Sequence, residues 1–250
     1  MTIWLAPDLL RPWLFPALDS ADLCRFLSAS RKLREELASL TSFSVAFPRE
    51  ILLEEEMIKS LAQTLRGMLR LTHLSVGLAY QSFSTVFLAE SLSKRKLLEL
   101  KLDIRHCNLG DQGIRIWTEV LATLPCLVFL DLRLSFNRVS RRGAQDLAEA
   151  FQSNSCFENV ALAVDINPIG DGAVLLLQSF RNVRQLHLDI AHCNCNVSDG
   201  EKLAKEMESL KLEFLELDVR GNSLAESKAL ILKATASLNA AGYKCLSRID

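Results

Sequence analysis

One spacing recurs seven times along this chain and leaves little freedom in how it can fold. In Leu97 to Leu109, LLELKLDIRHCNL, apolar residues fall at offsets 0, 3, 5 and 7 from Leu97, with Cys107 at offset 10 and Leu109 at 12. The same ruler fits from Leu127 (Leu130, Leu132, Leu134, Asn137, Val139), Phe157 (Val160, Leu162, Val164, Asn167, Ile169), Val183 (Leu186, Leu188, Ile190, Cys193, Cys195) and Leu212 (Leu215, Leu217, Val219, Asn222, Leu224). Upstream it fits well from Leu71 (Leu74, Val76, Leu78, Gln81, Phe83) and loosely from Leu40 (Phe43, Val45, Phe47, Glu50, Leu52). Starts lie roughly 26–31 residues apart, the spacing of a repeat array.

Offsets 3, 5 and 7 alternate, so their side chains share one face of a strand. The chain must then turn. Asn suits that turn because its side chain bonds backbone groups that the strand leaves unpaired. A thiol does the same more weakly, which accounts for Cys107 and Cys193 in the Asn slot. Helical stretches follow at 111–124, 140–151, 171–180 and 198–210. Strand, turn and helix in repetition give parallel strands on one side and helices on the other. No unit buries its apolar face alone, so neighbours stack.

The ruler resembles that of leucine-rich repeats. The Asn/Cys alternation, and the helices opened by LGDQG (Leu109 to Gly113) and PIGDG (Pro168 to Gly172), resemble the ribonuclease-inhibitor-like subclass. The resemblance covers about residues 40–240 and implies an α/β solenoid, or horseshoe, with a parallel concave sheet and outer helices. The departure is one extra apolar pair before the Asn, which lengthens the strand.

Residues 1–36 do not follow the ruler. LAPDLLRPWLFPALD is broken by Pro7, Pro12 and Pro16, and a helix is expected from Ser20 to Leu40. A small helical segment here serves as a cap on the first unit. The segment also resembles an F-box, through Pro7, Asp8, Leu9 and Leu10, the aliphatics Leu14 and Leu18, the turn Asp19, Asp22, Leu23, and the closing Ser30, Arg31, Leu33. Pro12 and Pro16 sit where that family has helix, and Leu33 replaces its aromatic. The resemblance implies that Pro7, Asp8, Leu9, Leu10, Leu14 and Leu18 dock onto the adaptor subunit of a cullin-type ubiquitin ligase. Domains are thus expected at 1–36 and 37–250, the last unit carrying a long helix and an edge strand in YKCLSRID.

The outward offsets 4, 6 and 8 are where a partner would be met. They place Lys101, Asp103, Arg105, Asp131, Arg133, His187, Asp189, Glu216, Asp218 and Arg220 on the concave face, the last units acidic. Asp103–Arg133 and Asp131–Lys101 are expected as pairs across the sheet, because adjacent strands lie about 4.8 Å apart. A basic or mixed protein segment suits the acidic end; a solvated face with charges for solubility is the other reading.

Other classes are disfavoured. A net charge of −1 gives no basic stripe for nucleic acid. No run of eighteen apolar residues marks a membrane span, and Asp8, Arg11 and two prolines interrupt any signal-peptide core. Seven cysteines without framework spacing read as reduced thiols, which suggests an intracellular, cytoplasmic protein, with the nucleus as the other compartment left open. His187, Asp189, His192, Cys193 and Cys195 cluster in HLDIAHCNCN, but the ruler points them to different faces, so no metal is expected. No phosphate loop, dinucleotide or catalytic signature appears, so no cofactor and no enzyme activity are expected. Trp117 is expected in the core. The overall expectation is a non-catalytic protein-binding module, monomeric outside its complex: a substrate-recruiting ligase subunit, or alternatively a free-standing ribonuclease-inhibitor-like scaffold without a ubiquitin role.

Overall fold

The computed structural model describes residues 3–4, 38–47, 49, 53–81 and 85–250. The adaptor-docking residues expected at Pro7, Asp8, Leu9, Leu10, Leu14 and Leu18, and all but the end of the helix expected from Ser20, lie outside the described residues.

Among the described residues, nine parallel strands form one open sheet in sequence order: β1 (Ile3–Trp4), β2 (Ser42–Ala46), β3 (His73–Gly77), β4 (Glu99–Asp103), β5 (Phe129–Arg133), β6 (Asn159–Ala163), β7 (Gln185–Asp189), β8 (Phe214–Asp218) and β9 (Lys244–Arg248). The described helices between them are α1 (Glu55–Gly67), α2 (Val86–Leu92), α3 (Gly110–Leu121), α4 (Arg141–Ser153), α5 (Gly172–Ser179), α6 (Val197–Ser209) and α7 (Lys228–Ala240). This is a leucine-rich-repeat solenoid. Strands stack about 4.8 Å apart while helices need about 10 Å, so the stack bends with the sheet inside.

Equivalent ruler positions are register partners: Leu100 faces Leu130, which faces Val160, Leu186, Leu215 and Cys245 in turn. Offsets 3, 5 and 7 are buried in every unit from Leu71 on, and one apolar core runs from Leu40 to Cys245. The strands β2 to β8 each span five residues and end at offset 6, so the apolar residue at offset 7 lies just past the strand. Beyond each strand, backbone donors at offsets 7 and 9 still reach the next unit, as Ile104 N to Arg133 O (3.1 Å) and His106 N to Ser135 O (3.0 Å). One strand was not foreseen: Ile3 and Trp4 pair with Phe43 and Ser44 as an edge ahead of the first unit.

The Asn slot works as the spacing suggests. Asn137 is fully buried; its Oδ1 accepts from Cys107 N (2.9 Å) and Leu109 N (3.3 Å), and its Nδ2 donates to Ile104 O (2.8 Å) and Leu134 O (2.9 Å). Asn167 and Asn222 repeat this toward their own preceding units. Where Cys replaces Asn, only the donor half survives: Cys107 Sγ donates to Leu78 O (3.2 Å) and Cys193 Sγ to Val164 O (3.3 Å). Each turn is therefore completed by the following unit.

Helix starts are also tied between units. Asp111 accepts from Ser140 N (2.8 Å), Ser140 Oγ (2.5 Å) and Gly143 N (3.2 Å), so the Asp of LGDQG holds the start of the next helix, α4. A Cβ at Gly143 would stand 2.6 Å from that carboxylate, which is why glycine fits there. Asn196 and Asp199 close a reciprocal capping box at α6. Trp117 is buried and donates to Thr85 Oγ1 (2.8 Å). At the far end Gly242, at φ +91°, turns the chain out of α7 into β9.

Candidate functional site

Side chains at offsets 2, 4 and 6 alternate outward on the sheet face. Most are long, but β6 presents Ala161 and Ala163 in succession. Two short side chains between taller neighbours leave a depression of about 360 Å³. On one side stand Phe129, Asp131 and Arg133; on the other, Gln185, His187 and Asp189, with Glu216, Asp218 and Arg248 behind.

Of the ten residues expected on this face, six line the depression: Asp131, Arg133, His187, Asp189, Glu216 and Asp218. Lys101 and Asp103 sit two strands from Ala161 and Ala163, and Arg105 and Arg220 lie past the strand ends. Phe129, Gln185 and Arg248 line the site without having been expected. Phe129 and Gln185 stand at offset 2, which alternates outward like offsets 4 and 6, and that parity was the signal available.

The expected cross-sheet pairs do not form. Lys101 does face Asp131, and Asp103 does face Arg133, in register. Yet Lys101 bonds Glu99 (2.7 Å), Arg105 bonds Asp103 (2.7 Å) and Arg133 bonds Asp131 (3.1 Å), all along their own strands. A long cation reaches the same-face carboxylate two residues away as readily as the next strand, and Arg105 gains a two-pronged contact by doing so. Lys101 also lies 5.2 Å from the Phe129 ring centre.

At the acidic end most carboxylates are neutralised locally. Arg220 holds Asp218 (2.6 Å), and Glu216 is shared by His187 Nδ1 (2.8 Å) and Arg248. Burial alone would raise the pKa of Asp218, but the Arg220 hydrogen bonds outweigh it and hold the carboxyl below its usual value. Asp189 differs. Its carboxylate accepts from Ala191 N (3.0 Å), and no cation bonds to it among the described residues. Burial first, then the charges of Asp165 and Asp218, push its pKa up despite that hydrogen bond.

Asp189 also borders a second cavity, of about 380 Å³, on the rim where strands become turns. Asp165, Asp218, Asp250, His192 and Arg220 share its wall. Along this rim runs the offset-9 row: Tyr80, His106, Phe136, Ile166 and His192. Every member has a positive φ, between +54° and +66°. Tyr80 stacks on His106 and His106 on Phe136, each pair with ring centres 4.3 Å apart. Tyr80, Phe136 and Ile166 are nonetheless 44%, 49% and 45% exposed. A non-glycine residue in the left-handed region costs about 1–2 kcal/mol, and a stacked pair returns about 0.5–1.5 kcal/mol. Periodicity could not reveal this row, because the sign of φ is invisible in an apolar pattern.

The HLDIAHCNCN residues separate as the ruler implies. His187 lies on the sheet face and His192 on the rim, while Cys193 and Cys195 are buried, donating to Val164 O (3.3 Å) and Gly170 O (3.4 Å). Burial pushes the thiols up, to about 11 at Cys107 and about 12 at Cys195. Among the described residues no helix is long and apolar enough to cross a membrane.

No family model matches the chain. Over 149 residues, 58% of its length, it is 30% identical to the NACHT, LRR and PYD domains-containing protein 4E of Mus musculus, and it spans 15% of that protein. Among solved structures, the leiomodin-1 actin-binding site 2 aligns with 90% of this chain and 95% of its own, at 12% identity and a TM-score of 0.33.

Proposed function

We propose that this chain is a non-catalytic protein-binding module, and that the depression over Ala161 and Ala163 receives a basic or mixed segment of its partner. The observation that carries this is the pairing of a gap in the sheet face with a half-buried carboxylate, Asp189, to which no described cation bonds. A photo-crosslinking residue at Ala163 should trap a discrete partner, and Asp189→Lys in the same chain should abolish the product. The same label at exposed Lys205 on α6 should trap nothing comparable. Equal products from both labels would remove the sheet face as the site.

The finer assignment is a substrate-recruiting subunit of a cullin-type ubiquitin ligase, with residues 1–36 on the adaptor and the sheet face on the substrate. Its support is the F-box-like pattern at Pro7 to Leu10 and Ser30 to Leu33, followed by leucine-rich repeats. Full-length chain should capture purified adaptor, and Leu9→Glu with Leu10→Glu should not. Failure of the intact chain to bind adaptor favours the alternative, a ribonuclease-inhibitor-like scaffold or regulator without a ubiquitin role. The similarity to a mouse protein named for NACHT, LRR and PYD domains supports that alternative.

A further inference from the structure

We propose that the rim row centred on Phe136 and Ile166, with the acidic cavity beside it, docks an extended peptide segment in which a lysine or arginine adjoins an aromatic or large aliphatic residue. This surface is centred away from the central depression, though Asp189 and Asp218 border both.

The first support is what folding leaves unexplained. Two residues on, at offset 11, Asn108, Arg138 and Asn194 also take a positive φ, and Gly110 and Gly170 do so two residues later, at offset 13. Asn and Gly adopt that region with little strain. At offset 9 the chain instead holds Tyr, His, Phe, Ile and His in it, and leaves their apolar surface half in solvent. Gly221 holds the same offset in the last unit, so glycine satisfies the turn. A bulky residue kept in a strained conformation without being buried is the pattern of a contact surface.

The second support is charge complementarity. Asp165, Asp189, Asp218 and Asp250 face one arginine, Arg220, in the cavity wall. Arg220 is engaged by Asp218, the Asp250 side chain accepts from Gly221 N, and Asp165 accepts from the Ser135 hydroxyl. Asp165 and Asp189 therefore have no bonded cation among the described residues. Asp165 is the neighbour of Ile166 in sequence, and Ser135, its hydrogen-bond donor, is the neighbour of Phe136. A cation drawn to Asp165 thus lies beside the apolar row, and the residue next to it in an extended partner can cover Phe136 or Ile166.

The test uses the full chain and short labelled peptides on a Gly-Ser background, carrying Lys-Phe, Lys-Ser or Glu-Phe pairs, read by fluorescence anisotropy. Lys-Phe should bind about tenfold or more tightly than either other peptide, a difference well resolved in affinity. Phe136→Asn and Ile166→Asn, which suit the left-handed turn, should each weaken Lys-Phe binding severalfold while the melting temperature holds or rises. Asp165→Asn, which keeps the acceptor for Ser135, should weaken Lys-Phe binding as well. Equal binding of Lys-Ser and Lys-Phe, or no binding of any peptide, overturns the proposal. So does loss of binding in the Asn variants only in step with lowered melting, which would make the row structural. Sedimentation as a dimer that Phe136→Asn dissolves would give the surface to a second copy instead.

Discussion

Replacing Asn137 by alanine is the sharpest probe of how one unit holds its neighbour. The side chain is fully buried, and its loss orphans Cys107 N, Leu109 N and Ile104 O; Leu134 O keeps its bond from Asn167 Nδ2 (3.0 Å). Each buried polar group left without a partner costs about 1–3 kcal/mol, and Leu109 N, partly buried, falls at the low end. Asn137→Ala should therefore cost about 3–5 kcal/mol by urea denaturation. Asn137→Cys should cost less, about 1–2 kcal/mol, because a thiol there can donate to Ile104 O as Cys107 and Cys193 do at their own positions. Hydrogen exchange gives the finer readout. The amides of Cys107 and Leu109, in the preceding unit, should lose protection, while the Asn137 amide, held by Asn167 Oδ1 at 2.9 Å, keeps it. An alanine cost below about 1 kcal/mol, a cysteine as costly as alanine, or unchanged protection at Cys107 would refute the unit-to-unit account.

Three further outcomes follow. Asp189 has a folded-state pKa above its ordinary value, so its charge destabilises the fold at neutral pH, and that penalty disappears as pH falls below the ordinary carboxylate range. Asp189→Asn should raise the melting temperature at pH 7 and leave it unchanged near pH 3; a drop at pH 7 would show the charge to be stabilising. Gly143→Ala should lose about 1–3 kcal/mol, since the new methyl meets Asp111 Oδ1 at 2.6 Å and Val139 Cγ1 at 2.7 Å. Gly67→Ala, with nothing within 4 Å, should be neutral or stabilising, and equal effects at both glycines in chemical denaturation would discredit the steric reading. Under native conditions a thiol reagent followed by peptide mapping should label Cys126 and Cys156, which are partly exposed, well before Cys107, Cys193, Cys195 and Cys245; early labelling of Cys193 would show the turn slot to be open.

The elements were legible because the ruler fixes which way each Cβ points. Offsets 3, 5 and 7 could only be core, and Asn137, Asn167 and Asn222 could only be turn residues. The long last helix and the edge strand β9 followed from the last unit's departure from the ruler. What parity cannot fix is where a long side chain ends, and so Lys101 and Arg133 turned along their strands. Nor does the ruler mark the absence of bulk. Ala161 and Ala163 matter only beside Asp131 and His187, which belong to neighbouring units. The rim row stayed hidden for the reason that makes it informative: Phe136 and Ile166 look like ordinary apolar residues until their backbone is seen.

The in-register sheet makes the outer face addressable like a grid, one axis along each strand and the other across the stack. Adjacent cells about 4.8 Å apart feel each other, as His187 and Glu216 do (2.8 Å). Substitutions more than about 7–10 Å apart act independently, so cells two strands apart can be rewritten one at a time. A chain built this way can change what it recognises by exchanging outward residues in alternate columns, with the buried ruler and the Asn turns left untouched.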